Sequence, residues 1–182
     1  AQERETIEEA FAGDVIGIVN PGKLRLGDTI CGGRTIGYTA RWDYAPESFV
    51  RIRCSDTSKR KQFQRGVEQL IEEGAIQLLH DERTSAFEPV LAAVGELQFD
   101  VVQFRLESEY NTTTKIDRLP FQLARWIHNQ PFDPDDFQFP MGVRLMKDQT
   151  DASLLLFETR WSLDYCRSKN PTLILKDARP AE

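Results

Sequence analysis

From Phe49 to Cys54 the chain alternates, with Val50, Ile52 and Cys54 set against Phe49, Arg51 and Arg53. A period of two predicts a half-buried strand. Asp56, Thr57 and Ser58 then offer helix N-caps. Phe63, Val67, Leu70 and Ile71 fall at helical spacing through Glu73, and Gly74 is placed to end that helix. Two short apolar runs, Ile76 to Leu79 and Pro89 to Val94, predict strands. Gly95 to Tyr110 predicts a second helix and Thr112 to Ile116 a fourth strand. This order, β-α-β-β-α-β, is that of a split ferredoxin-like domain, with both helices on one face of the sheet.

The second helix carries two apolar stripes. Leu97, Val101 and Phe104 lie on one side, with Phe99, Val102, Leu106 and Tyr110 roughly opposite. A helix apolar on two sides is expected to be buried on two sides. The sheet accounts for one, and the C-terminal third of the chain is the expected cover for the other. That third predicts a strand at Leu123 to Ile127, a loop through residues 129–140 with its three prolines, and a hairpin of Val143 to Lys147 with Ser153 to Phe157. A helix from Thr159 to Ser168 and a last short strand, Leu173 to Lys176, complete it. Upstream of residue 46 the reading differs. Gly13, Gly17, Gly22, Gly27, Gly32, Gly33 and Gly37 punctuate short β-rich runs, Val15 to Val19 and Leu24 to Ile30. These suggest barrel strands, too few to close a barrel, so the segment is expected to be propped on the rest. The fold class is therefore α+β: partial barrel strands in residues 1–45, a ferredoxin-like core in 46–117 and a β/α extension in 118–182.

Composition narrows the function. Apolar residues make up 40% and charged residues 29% of the chain, and no run nears the roughly 18 apolar residues of a membrane helix. Cys31, Cys54 and Cys166 form no CxxC pair, which reads as reduced thiols in a cytoplasmic protein. With only His80 and His128, a histidine-rich metal or triad site is not expected. A net charge of −6 excludes a uniformly basic nucleic-acid-binding surface but not a local basic patch. The sequence opens on Ala1 rather than methionine, directly into a patterned segment, as expected of a piece of a longer protein.

Candidate chemistry is sparse. Gly17 to Leu24 has the G-x-x-x-x-G-K spacing of a phosphate-binding loop, yet Leu24 stands where a hydroxyl would ligate Mg²⁺, and strand rather than helix follows. It reads as a turn. Lys59, Arg60 and Lys61 crowd the first turn of the first helix, with Arg51, Arg53 and Arg65 near in sequence. These six are the candidate phosphate-contacting patch, set against the plainer reading of a solvated helix end. Gly95, Glu96 and Asp100 form a strand-to-helix junction in which the acids complement the helix dipole. Trp42, Trp126 and Trp161 read as core or domain-interface residues rather than base-stacking platforms. No catalytic, cofactor or metal residue is assigned.

Three stretches carry a family resemblance. Glu9 to Ile18, with Leu26-Gly27-Asp28-Thr29, is similar to the end of the second, β-barrel domain of translational GTPases. Tyr44 to Arg53 and Lys61 to Gln77, followed by Ala93 to Val102 and Arg105 to Asn111, resemble the bacterial release factor 3 family. The Leu97-Gln98-Phe99-Asp100-Val101-Val102 run separates it from elongation factor G, whose third domain is the nearest alternative. The resemblance implies a cytoplasmic, ribosome-dependent GTPase that removes class I release factors after termination. GTP and Mg²⁺ would bind a separate G domain, a partner this chain lacks. Its own role would be to meet small-subunit rRNA or protein and to relay movement, with a hinge at residues 40–47 including Pro46. A regulatory or acyl-phosphate-hydrolysing ferredoxin-like domain is the competing reading, because fold alone does not fix function.

Overall fold

The computed structural model describes residues 6–19, 29–36, 45–81 and 89–180. The core begins with β1 (Ser48–Cys54), helix α1 (Arg60–Glu72), β2 (Gln77–His80), β3 (Val90–Ala93), helix α2 (Leu97–Tyr110) and β4 (Thr114–Arg118). It continues with β5 (Leu123–Ile127), β6 (Val143–Asp148), β7 (Ser153–Phe157), helix α3 (Arg160–Lys169) and β8 (Leu175–Lys176). The first four strands lie in the order β4-β1-β3-β2, all antiparallel, as the split motif requires. Val50, Ile52, Leu91 and Ala93 pack on Phe63, Val67 and Leu70 of α1 and on Phe99, Val102 and Leu106 of α2. The predicted strand-helix alternation is thus the fold of residues 48–118.

The C-terminal third does not cover α2. It extends the sheet: β2 pairs with β6, and β6, β7, β5 and β8 follow in order, giving eight strands. Leu97, Val101 and Phe104 remain 78%, 55% and 70% exposed. Helical periodicity identified the stripe correctly, but β2 offered the extension an unpaired edge, and backbone pairing took it there.

The sheet also curls, bringing its two ends towards each other. Strand β4 is at one end and β5 second from the other, six strand spacings away. Laid flat they would be roughly 29 Å apart. Only residues 119–122 join them, and five Cα steps reach at most about 19 Å. The sheet must curl, and Leu119 N and Gln122 N of this link donate to Phe49 O of β1 and Phe157 O of β7, each at 2.9 Å. Inside the curl lie Phe49, Leu79, Val90, Ala92, Phe121, Ala124, Trp126, Met146, Leu154 and Leu156. Outside it, Leu155 and Phe157 meet Leu163 and Cys166 of α3. Strand β7 is therefore covered on both faces, which is why Leu154 to Phe157 is an unbroken apolar run.

Two upstream expectations fail. Val15 to Val19 forms no strand, and every described residue of 6–19 and 29–36 is exposed rather than propped on the core. β-branched residues make a strand only against a partner edge, and none of the described strands offers them one. The Leu24 to Ile30 run falls almost wholly outside the described residues, as does Trp42. The hinge at 40–47 is also narrowed at its downstream end. Ala45 packs on the inner core, Pro46 is buried, and Glu47 N donates to Ala93 O at 3.0 Å. Residues 45–47 are therefore held against the core. No helix among the described residues is long and apolar enough to cross a membrane.

Candidate functional site

The six candidate cations do not form one patch. Arg51 and Arg53 leave β1 on the face opposite α1 and α2, as their alternation with Val50 and Ile52 dictates. Arg53 pairs with Asp117 of β4 at 2.5 Å, both half-exposed. Lys59, Arg60, Lys61 and Arg65 stay together at the start of α1 on the helix layer. Lys59 has a structural partner: its Nζ donates to Asn111 O at 2.6 Å, at the left-handed C-cap of α2. Its charge thus sits on the negative end of α2, which offsets the penalty of a cation at the start of α1. Arg60, Lys61 and Arg65 are exposed and form the surviving basic surface.

Asp56 occupies the place an anion would take at this helix start. Its carboxylate accepts from Ser58 N at 2.9 Å and Ser58 Oγ at 2.7 Å, capping a 3-10 turn, Thr57–Lys59, that leads into α1. The Ser58 hydrogen bonds hold its pKa below the usual carboxylate range, helped by Lys59. The acyl-phosphate reading needs an anion cradle here and finds a resident carboxylate instead. At the start of α2, Gln98 organises the junction rather than Glu96 or Asp100. Its Oε1 accepts from Val94 N at 2.9 Å and Gly95 N at 3.1 Å, while Nε2 donates to Ala75 O at 3.0 Å. Glu96 instead reaches Arg118 at 3.5 Å.

Helix α2 is tied to the C-cap of α1 by Arg105, which donates to Glu109 at 2.7 and 2.9 Å and to Glu73. These bonds raise the Arg105 pKa and lower those of Glu73 and Glu109. A second polar centre, Asp148, was not singled out from sequence. Almost fully buried at the end of β6, it accepts from Trp126 Nε1 (3.0 Å), Thr150 N and Oγ1 (2.8 Å each), Ala152 N (3.2 Å) and Arg179 Nε (2.8 Å). Burial pushes its pKa up, but Trp126, Thr150 and Arg179 outweigh this and hold it low. The Asp148-Gln149-Thr150 spacing signals a turn; nothing local signals the burial.

Of the phosphate-loop-like segment, Gly17 to Val19 is exposed, and residues 20–24 lie outside the described residues. No group of three His, Cys, Asp or Glu among the described residues is placed to hold a metal. A cleft of about 320 Å³ lies between Asn129, Phe132, Thr150, Ser153 and Arg179, and one of about 190 Å³ beside Glu47, Glu96, Phe99 and Phe121. Cys166 is buried, which raises its pKa and keeps it a thiol. Trp126 is a core residue, as read from sequence, but Trp161 is on the surface of α3.

Comparison with known proteins assigns this architecture. A family model described as "Class II release factor RF3, C-terminal domain" matches residues 38–167. The peptide chain release factor 3 of Gloeobacter violaceus is 44% identical over 180 residues, covering 98% of this chain and 34% of that protein. That of Symbiobacterium thermophilum is 40% identical over 176 residues (97% and 33%), and that of Rippkaea orientalis 41% over 180 (99% and 33%). The chain spans about a third of the length of the curated relatives it matches. The elongation factor G-like and regulatory-domain alternatives are not favoured. With most of its length under that model, the chain belongs to the class II release factor RF3 family, as its C-terminal domain.

Proposed function

We propose that this chain is the ribosome-docking part of a cytoplasmic release-factor GTPase and performs no chemistry of its own. Residues 1–45 would be the end of the β-barrel domain, and residues 46–182 the lever that follows it. The observation that carries this is the family match over residues 38–167. The structure adds support: one curled sheet with three helices outside it makes a stiff body, and Arg60, Lys61 and Arg65 lie exposed at one end of it. Such a surface suits phosphate contact on rRNA. GTP and Mg²⁺ would bind in the parent protein's G domain. The parent would use GTP on the ribosome to recycle class I release factors.

The test has two arms. The purified chain should pellet with bacterial ribosomes, and charge reversal at Arg60, Lys61 and Arg65 should weaken this and flatten its salt dependence, by about one unit of slope for each phosphate no longer neutralised. The chain should bind no GTP, whereas the full-length parent should hydrolyse GTP when ribosomes are added. Micromolar GTP binding by the chain itself would overturn the proposal.

A further inference from the structure

Val94, Leu97, Val101 and Phe104 line one side of α2 and its approach at spacings of three and four residues, each between 48% and 78% exposed. Phe99, Val102 and Leu106 on the opposite side already fill the core. The stripe is therefore surplus to the fold of this chain, and no described segment covers it. Four large apolar side chains in one row exceed the scattered exposure normal on a surface and mark a contact.

Charge narrows the occupant. Helical spacing puts Asp100 and Glu107, both exposed, along one border of the stripe. Along the other runs Arg105, already held by Glu73 and Glu109. Such a face repels a phosphate backbone. A second copy would set these carboxylates against carboxylates, or against an arginine already paired. Size narrows it further. A standing interface between separate molecules takes about 20–30 residues a side, and one row of four falls far short. So small a contact holds when both surfaces belong to one chain, because a short connection raises the effective concentration to about millimolar. The upstream chain enters beside the stripe: Glu47 N donates to Ala93 O at 3.0 Å, next to Val94, and Glu47 and Glu96 border the same cleft. The curated relatives are about three times as long as this chain, and the matching model is of their C-terminal domain, so most of that added length precedes it. We propose that this stripe is the seat for the upstream part of the same polypeptide, which meets it with an apolar patch bordered by lysine or arginine. The choice of occupant rests on the family match and not on ribosome docking.

Hydroxyl-radical footprinting compares the 182-residue chain with the full-length parent, both without ribosomes, the radical dose being set by an added reporter peptide. Tryptic peptide 84–105 carries Leu97 and Phe104, with the buried Phe99 as internal reference. Leu97 and Phe104 should oxidise about fivefold more slowly in the parent, as for a seat occupied about 80% of the time. Val101→Lys should leave the Tm of the chain unchanged, because the side chain is exposed there. In the parent the same change should return Leu97 and Phe104 to the rate seen in the chain. Equal rates in chain and parent would overturn the seat, as would protection that Val101→Lys leaves intact. So would protection in the chain alone that grows with its concentration, which marks a second copy, or protection of the parent only when ribosomes are added, which marks an outside partner. The two proposals fail separately: protection in the parent without ribosome pelleting keeps the seat and removes the docking reading. Pelleting with an unprotected stripe does the reverse.

Discussion

Gly66→Ala tests how closely α1 and α2 approach. On an isolated helix this change favours the helix by about 0.5–1 kcal/mol, because glycine gives up more backbone freedom on folding. Here a methyl on Gly66 would lie 2.6 Å from Leu106 Cδ2 and 2.9 Å from Cγ and Cδ2 of Tyr110. Carbon atoms need about 3.5–4 Å. The Leu106 methyl is the end of a side chain, but Leu106 is fully buried and boxed in by the core. Cγ is the root of the Tyr110 ring and moves only if χ1 leaves its rotamer or the helix shifts, and the ring's hydroxyl is tied to Gln69 at 2.5 Å. The helices must therefore part by several tenths of an ångström. Overpacking of this kind costs about 1–3 kcal/mol. Less the propensity gain, the net loss is about 0–2.5 kcal/mol, centred on ~1 kcal/mol, or roughly 2–4 °C in Tm for a domain of this size. Urea and calorimetric unfolding of the chain would measure it. In a Leu106→Ala background the added methyl gains space, and its cost should shrink by about 0.5 kcal/mol or more, as expected for coupled neighbours. A stabilising Gly66→Ala in the native background, or an effect unchanged by Leu106→Ala, would refute the close approach.

The other expectations concern polar groups. Asp148→Ala should cost about 2–4 kcal/mol in urea unfolding, because it strands the buried Trp126 Nε1 and removes the acceptor of Arg179 and of two part-buried backbone N–H groups. Arg179→Ala should cost less, since it leaves the other donors to Asp148 intact. Asp148 and Glu73 titrate low in the folded state, so their contribution is complete above their ordinary values of 3.8 and 4.5 and is lost as pH falls through the folded ones. Unfolding free energy should be nearly flat from neutrality to about pH 5 and fall below about pH 4, with a shallower acid slope in Asp148→Asn. Thr159→Ala removes the acceptor of Ser162 N at 3.1 Å and should cost about 1 kcal/mol, read as a lowered Tm.

Elements with strong periodicity were legible: β1, α1, β3, α2 and the β6–β7 hairpin follow directly from the spacing of Val50 and Ile52, Phe63 to Leu70, and Leu154 to Phe157. Strand β4 begins two residues later than read, at Thr114, because Asn111 and Thr112 are used to end α2. Thr112 N and Oγ1 both donate to Leu106 O. The pairing of β2 with β6 was not legible, since it joins Leu79 to Asp148 across most of the domain and no local pattern encodes it. For the same reason the sequence placed a cover on Leu97, Val101 and Phe104 that is not there. Among the candidate cations, the run Lys59 to Lys61 lies at the start of α1, with Lys59 its N-cap, and Arg65 follows on the same helix. Nearness in sequence brought in Arg51, Arg53 and Arg65 alike, and the pleat of β1 sends the first two to the other face.

The β2–β6 ladder has a mechanical consequence. Because backbone hydrogen bonds run unbroken from β4 to β8, no soft joint separates the helix-backed half from the half carrying α3. A push at Arg60 reaches Trp161 as rotation of one stiff shell, so contacts at the two ends would make or break in concert. Cutting the gene after residue 118 would yield a torn sheet with a raw, sticky margin along β2 rather than a minimal working piece.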